Sequence, residues 1–215
     1  MLPNSLKLRT RNLYLRATSS IRKRALNKNQ FTIISNNCWG GLVYESYNLP
    51  KQSPTIGMFF MADEYIKFLQ KLSYYIYECQ LSFIEPEDAK YKEFYKLDKR
   101  FGTYPIALLG DVEIAMLHYH SKNEAKEKWK RRCDRINWEH MLIKMNDQNN
   151  CTKDDLFNFM ELPYKNKLFF TVRQEWEGIQ GVTKLKSKNE LYCGLFDEPF
   201  GKLNNINVNK IINEL

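Results

Sequence analysis

The 215 residues weigh 25.7 kDa and are 43% hydrophobic and 14% aromatic, enough for one sizeable core, which excludes disorder over most of the length and a scaffold that depends on disulfides. The formal charge of +8 sits in residues 1–30, which hold Lys7, Arg9, Arg11, Arg16, Arg22, Lys23, Arg24 and Lys28 and no Asp or Glu; the remainder balances at 25 basic against 25 acidic. A neutral body makes nucleic acid an unfavoured partner, and five scattered cysteines without a CxxC pair argue against a zinc site and for reduced thiols in the cytoplasm.

The basic arm comes first. On a helical wheel Leu2, Leu6, Leu13, Ala17 and Ile21 share a face, while Leu8, Leu15 and Leu26 fall on the other. Two readings stand: a helix lying on an anionic membrane surface, or a helix that packs its leucines on the domain and leaves its charges in water. No uninterrupted apolar core follows the charges as a signal peptide requires, and no window is long and apolar enough to span a bilayer. The expected location is therefore cytoplasmic, with a peripheral place at the inner membrane face if the first reading holds.

Residues 31–215 read as a single α/β domain. Phe31 to Ser35 predicts a buried strand, followed by a polar loop and one or two helical turns over Leu42 to Asn48. Thr55 to Phe60 is a second predicted strand, and Asp63 and Glu64 open a helical run through Cys79. A strand at Leu81 to Ile84 precedes a charged, tyrosine-rich stretch to Arg100 that predicts a loop with a short helix. Ile106 to Leu109 and Val112 to Tyr119, separated by Gly110-Asp111, predict a hairpin.

Ser121 to Glu124 is a capping box that opens a helix over Ala125 to Asn137. Met141 to Met145 is the next strand, and Thr152 to Asp155 caps a helix that ends near Leu162-Pro163. Leu168 to Val172 is a strand. Beyond Arg173 the pattern weakens, with an edge strand or hairpin at Leu191 to Phe196 and a short terminal helix. Strands alternating with helices predict a Rossmann-like α/β fold: a three-layer, mostly parallel sheet with an antiparallel hairpin and helices on both faces.

In such a sheet the loops at the carboxyl ends of strands gather along one edge, and three of them carry chemistry. In the first, Cys38 precedes a helix start, where dipole and backbone N–H groups would lower a thiol pKa and cradle an anion; Gly40 and Gly41 permit close backbone approach, and Asn36, Asn37 and Trp39 can meet a ligand. The alternative is that Asn36 caps the turn, Cys38 is a small buried hydrophobe and Trp39 packs in the core. In the second, His118 and His120 are two apart and face one side if on a strand, which suits a general base better than a two-ligand metal site. In the third, Asp147, beside Asn146, is a candidate base or sugar-hydroxyl ligand. The catalytic candidates are thus Cys38, His118 and Asp147; the binding candidates are Asn36, Asn37, Trp39, Gly40, Gly41, His120 and Asn146. The basic run Lys126 to Arg132 reads as a solvated helix face. No cofactor or metal motif is present: there is no GxGxxG, no P-loop and no DxD-type pair.

The segments Ile34 to Gly41, Ser53-Pro54-Thr55-Ile56-Gly57 with Phe59-Phe60, Phe101 to Pro105, and His118-Tyr119 followed by Glu124-Ala125, Lys128-Trp129 and Arg131-Arg132 together resemble a bacterial family, the domain of unknown function 1919, over roughly residues 30–175. Members of that family are often labelled exopolysaccharide biosynthesis proteins. The resemblance implies a bacterial α/β protein linked to exopolysaccharide or capsule biosynthesis, and supplies no catalytic residues. The expected function is a transferase acting on a nucleotide-activated sugar or lipid-linked glycan; the alternative is a non-catalytic glycan-binding or assembly-scaffold protein, suited by 13 Tyr and 4 Trp.

Overall fold

Strand runs that are apolar at successive positions, rather than at alternate ones, require burial on both faces, and the computed structural model, which describes residues 4–194, 197–200, 202–203 and 206–215, shows how this is met. Strands β1 (Thr32–Ser35), β5 (Met141–Asn146), β6 (Lys167–Thr171) and β7 (Val182–Lys184) form a parallel sheet in the order β1-β5-β6-β7. Along β5 the side chains alternate between two cores. Ile143 and Met145 join Ile34 and Phe169 on one face, and Leu142 joins Ile33, Leu168 and Phe170 on the other.

The first face is covered by α4 (Ala62–Gln70), α5 (Leu72–Tyr77), α7 (Lys122–Cys133) and α8 (Lys153–Glu161), and the second by α1 (Asn4–Ala17), α3 (Trp39–Ser46) and α9 (Val208–Asn213). The fold is thus α/β with helices on both sides of a parallel sheet. The predicted hairpin is present but in a sheet of its own, where β2 (Leu81–Ile84), β3 (Ile106–Leu109) and β4 (Val112–Ala115) pair antiparallel and Gly110 (φ 62°) makes the turn. Two-residue strands β8 (Lys202–Leu203) and β9 (Ile206–Asn207) pair near the C-terminus.

Several elements depart from the sequence reading. Thr55 to Phe60 is no strand: it is a buried irregular segment with one bridge, Phe59 to Ala115. Gly57 (φ 83°) breaks its extended course, and its backbone groups find partners elsewhere: Ile56 O accepts from Tyr119 Oη (2.6 Å) and Arg132 Nη1 (2.8 Å), and Phe60 N donates to Asn36 O (3.1 Å). Arg132 is accordingly buried rather than part of a solvated face. The helical run after Ala62 is broken at Lys71 (φ −134°, ψ 41°), α7 stops at Cys133, and α3 begins at Trp39, three residues before the predicted start. The predicted capping box is only half formed: Ser121 Oγ accepts from Glu124 N (3.1 Å), but Glu124 returns to His120 N (2.8 Å). Strand β7 lies where the pattern had weakened. Of the predicted edge element at Leu191 to Phe196, residues 191–194 are not a strand and the last two lie outside the described residues.

A helix α2 (Ser19–Arg24) continues α1, and the pair packs on α3. Leu15 and Leu26 enter the second core, and Arg22 Nε donates to Ser46 O (2.9 Å), neutralising the carboxyl end of α3.

Candidate functional site

After β1 the chain turns to the second face through α3, whereas after the adjacent β5 it turns to the first face through α8. Neighbouring strands whose exits diverge leave a crevice at their carboxyl ends. Here it has two chambers. The inner, of 200 Å³, is lined by Asn37, Cys38, Trp39, Phe59, Leu117, Gln148, Asn149 and Glu198. The outer, of 740 Å³, shares Phe59, Gln148 and Asn149 and extends to Phe94, Tyr95, Asp98, Tyr104, Arg173 and Tyr192. Together they fall in the range of small-molecule sites, ~300–1,000 Å³.

Beneath the inner chamber lies a knot of buried polar groups. Lys144, in the middle of β5, is fully buried under the rings of Trp39 and Phe170 and is ion-paired with the buried Glu198. Its ammonium also donates to Asn37 Oδ1 (3.0 Å) and Asn36 Oδ1 (3.4 Å). Glu198 accepts from Asn146 Nδ2 (2.8 Å) and Asn37 Nδ2 (3.1 Å), and Asn36 Nδ2 donates to Asn146 Oδ1 (2.9 Å). An ammonium removed from water costs several kcal/mol unless its donors are met, and here all three acceptors are anionic or amide oxygens. The loops after β1 and β5 therefore do converge, also through Asn37 Nδ2 to Gln148 Oε1 (3.1 Å). Left-handed Asn149 (φ 58°) and Asn150 (φ 62°) end the loop after β5, with Asn149 Nδ2 donating to Phe60 O (2.8 Å); asparagine is the side chain that tolerates this conformation best after glycine.

The predicted residues separate on inspection. Cys38 lines the inner chamber at the start of α3, but burial, reinforced by the Glu198 charge, raises its thiol to about 11, so it is protonated near neutrality and the expected lowering does not occur. The first N–H of α3, on Trp39, is already taken by Asn37 Oδ1 (3.1 Å). Gly40 and Gly41 do not face the crevice: a Cβ on Gly40 would meet Ile33 Cγ2 at 3.2 Å and one on Gly41 would meet Ile56 Cγ2 at 2.9 Å, so their smallness serves the packing of α3. Trp39 is buried, its Nε1 donating to Pro199 O (2.9 Å). Asn36 and Asn146 lie fully buried in the layer below the chamber, while Asn37 reaches its wall.

Asp147 is a buried anchor, its carboxylate accepting from Thr171 Oγ1 (2.7 Å), Val172 N (2.9 Å) and Cys193 N (2.5 Å). The loop after β4 sends Leu117, not a histidine, into the inner chamber. Strand β4 ends at Ala115, so His118 and His120 follow it in turns, both exposed, and do not share a strand face. Partial burial and the Arg100 guanidinium hold the His118 imidazolium below its usual range, so the ring is neutral at pH 7, in the field of Asp98. Among the described residues no group of three His, Cys, Asp or Glu gathers as a metal site.

Besides Glu198, the partner of Lys144, three residues of the site escaped the sequence reading. Lys144 is a charge inside an apolar parallel strand, an anomaly visible in Met-Leu-Ile-Lys-Met. Asp98 lines the outer chamber, kept ionised by Arg100, which donates from Nε (3.1 Å) and Nη2 (2.7 Å). Tyr104 lines the same chamber, buried and, among the described residues, with no hydrogen-bond partner on its hydroxyl, which burial raises to about 12.

The family profile for the domain of unknown function 1919 matches residues 9–192. The chain belongs to that family. It is also similar to an uncharacterised protein of Haemophilus influenzae, 32% identical over 149 residues, which are 69% of this chain and 65% of that protein. The DUF1919 profile thus covers both converging loops and both chambers except Glu198, and the match spans just under two thirds of the relative's length.

Proposed function

We propose that the crevice receives the carbohydrate end of a lipid-linked glycan and that the protein is a transferase of bacterial surface-polysaccharide assembly, working peripherally at the inner face of the membrane. The outer chamber carries this reading. Phe59, Phe94 and Tyr192 offer ring surface for sugar stacking, Gln148, Asn149 and Asn150 offer amides, and the Tyr104 hydroxyl, without a hydrogen-bond partner among the described residues, is a buried polar group that a ligand hydroxyl would satisfy. Its charge selects between the two substrate forms. Among the described residues Asp98, Asp147, Glu175 and Glu190 line it against Arg173, a field that disfavours a nucleotide diphosphate and suits a neutral sugar. Asp98 is the carboxylate available to orient an attacking hydroxyl.

A second reading, glycan binding without chemistry, is favoured by one observation: the protonated Cys38, the saturated Asp147 and the off-cleft His118 form no catalytic set. Calorimetric titration with neutral oligosaccharides and with nucleotide sugars tests the shared part. Neutral glycans should bind more tightly, and Tyr104→Phe and Tyr192→Ala should each weaken them about tenfold; tighter binding of nucleotide sugars overturns the assignment. Incubation with a bacterial membrane fraction then separates the readings. Elongation of lipid-linked glycan that is lost in Asp98→Asn supports transfer, and intact binding without elongation supports the scaffold.

A further inference from the structure

Leu2, Leu6 and Leu8 lie outside the residues whose side chains are described; among those described, the basic arm presents two apolar faces and packs one of them on the domain. Leu15 and Leu26 are buried in the second core, and Arg22 ties the arm to Ser46 O at 2.9 Å, so this unit is docked in a fixed orientation. Its helices run almost without interruption, Thr18 N donating to Tyr14 O (3.1 Å) and Arg22 N to Thr18 O (3.3 Å). Leu13, Tyr14 and Ile21 then fall on the opposite side at helical spacing, 68%, 58% and 70% exposed. Beside them the side chains of Arg9, Arg16, Lys23 and Arg24 are also exposed, in a segment without a single acidic residue.

We propose that this outer face of α1 and α2 lies on an anionic bilayer surface, with Leu13, Tyr14 and Ile21 entering the boundary between headgroups and acyl chains and the four cations engaging lipid phosphates. The charge argues for a polyanionic occupant, and the exposed aliphatic side chains argue for one with an apolar interior: a nucleic acid offers the phosphates but nothing to bury Leu13 and Ile21, whereas a phospholipid surface offers both. Among the described residues no helix is long and apolar enough to cross a membrane, so this surface contact is the kind of membrane association the described arm can make. The proposal deepens the peripheral location given above but does not rest on what fills the crevice.

Co-sedimentation of the full chain with phosphatidylcholine vesicles, alone or doped with phosphatidylglycerol, tests it. Binding should require the anionic lipid and weaken as salt is raised. Leu13→Glu with Ile21→Glu should reduce it at least tenfold, and Arg16→Gln or Arg24→Gln roughly fivefold each. Phe157→Glu, on α8, is the control that should leave it unchanged. Because the substituted side chains are exposed, circular dichroism should show an unaltered fold, and neutral-glycan titration should be unaffected, which separates failure here from failure of the crevice reading. Equal binding to neutral and anionic vesicles, or no binding to either, overturns the proposal. So does duplex DNA binding that survives Leu13→Glu with Ile21→Glu, or a self-associated chain dispersed by that variant in sedimentation velocity.

Discussion

The molecule buries charge in two places and manages it in opposite ways. Where α4 meets the antiparallel sheet, buried Glu64 and Glu113 are held by backbone and by side chains that reach in from the surface: Glu64 accepts from Glu113 N (2.9 Å) and Tyr91 Oη (3.0 Å), and Glu113 accepts from Lys90 N (2.8 Å) and Tyr91 N (3.3 Å). The cations that complete this cluster, Lys90 and Lys67, pair with Glu64 at 2.9 and 3.4 Å but are themselves 57% and 37% exposed. At the carboxyl edge of the parallel sheet the cation, Lys144, is the buried member, and its partners are side chains from two separate stretches, Asn36 and Asn37 after β1 and Glu198, with Asn146 at the end of β5 donating in turn to Glu198. Backbone donors clamp a loop in place, as Glu113 does for residues 89–91. Side-chain amides around a buried charge at a cavity wall instead create a shaped polar floor. The first arrangement is architecture; the second bears on a ligand.

This contrast can be broken by measuring stability. Lys144→Met strands the Glu198 carboxylate in the interior and should cost about 3–5 kcal/mol in denaturant unfolding. Adding Glu198→Leu removes the stranded charge, so the double variant should cost less than the sum of the singles, by up to about 3 kcal/mol. Strict additivity would mean that the two groups are not coupled. Glu64→Gln should cost less, about 1–3 kcal/mol, because Lys90 and Lys67 can return to water and the amide oxygen can still accept from Glu113 N or Tyr91 Oη. A greater loss from Glu64→Gln than from Lys144→Met would invert the comparison.

Gly41→Ala sharpens it from the packing side. The added methyl, 2.9 Å from Ile56 Cγ2, should cost about 1–3 kcal/mol without touching the polar floor. If Gly41→Ala left stability intact but abolished ligand binding, the glycine would be a ligand contact after all.

Local signals made much of this architecture legible. β1, β5 and β6 announced themselves as short apolar runs, and Thr152 to Asp155 caps α8 as read, through a full capping box that the sequence reading places at Ser121 instead. What escaped depended on distant partners. Residues 55–60 read as a strand because Thr-Ile-Gly-Met-Phe-Phe is β-prone, but Tyr119 and Arg132 take the Ile56 carbonyl that a ladder would have used. In the crevice, the convergence of the Asn36–Asn37 and Asn146 loops followed from the strand-end rule. The environment of each side chain did not: nothing local says that Cys38 lies beside a carboxylate, that Asp147 is saturated, or that residue 198 returns across the edge of the sheet to meet Lys144.

The smallest effect reports on the same floor. Burial is the main cause of the raised Cys38 thiol and the Glu198 charge the next, so Glu198→Gln should lower it from about 11 while leaving it above the usual 9. Alkylation of Cys38, followed by mass spectrometry of the modified peptide, should accelerate about tenfold per pH unit through pH 8 and 9 in both proteins, with the variant curve displaced to lower pH. The sign for stability is the same: a thiol that holds its proton more tightly when folded gives stability that is full below pH 9 and declines as pH rises towards 11. That decline should be shallower in Glu198→Gln. Identical alkylation curves would show that Glu198 carries no negative charge beside the thiol, which would leave the Lys144 ammonium without its counter-ion and remove the distinction between the two buried clusters.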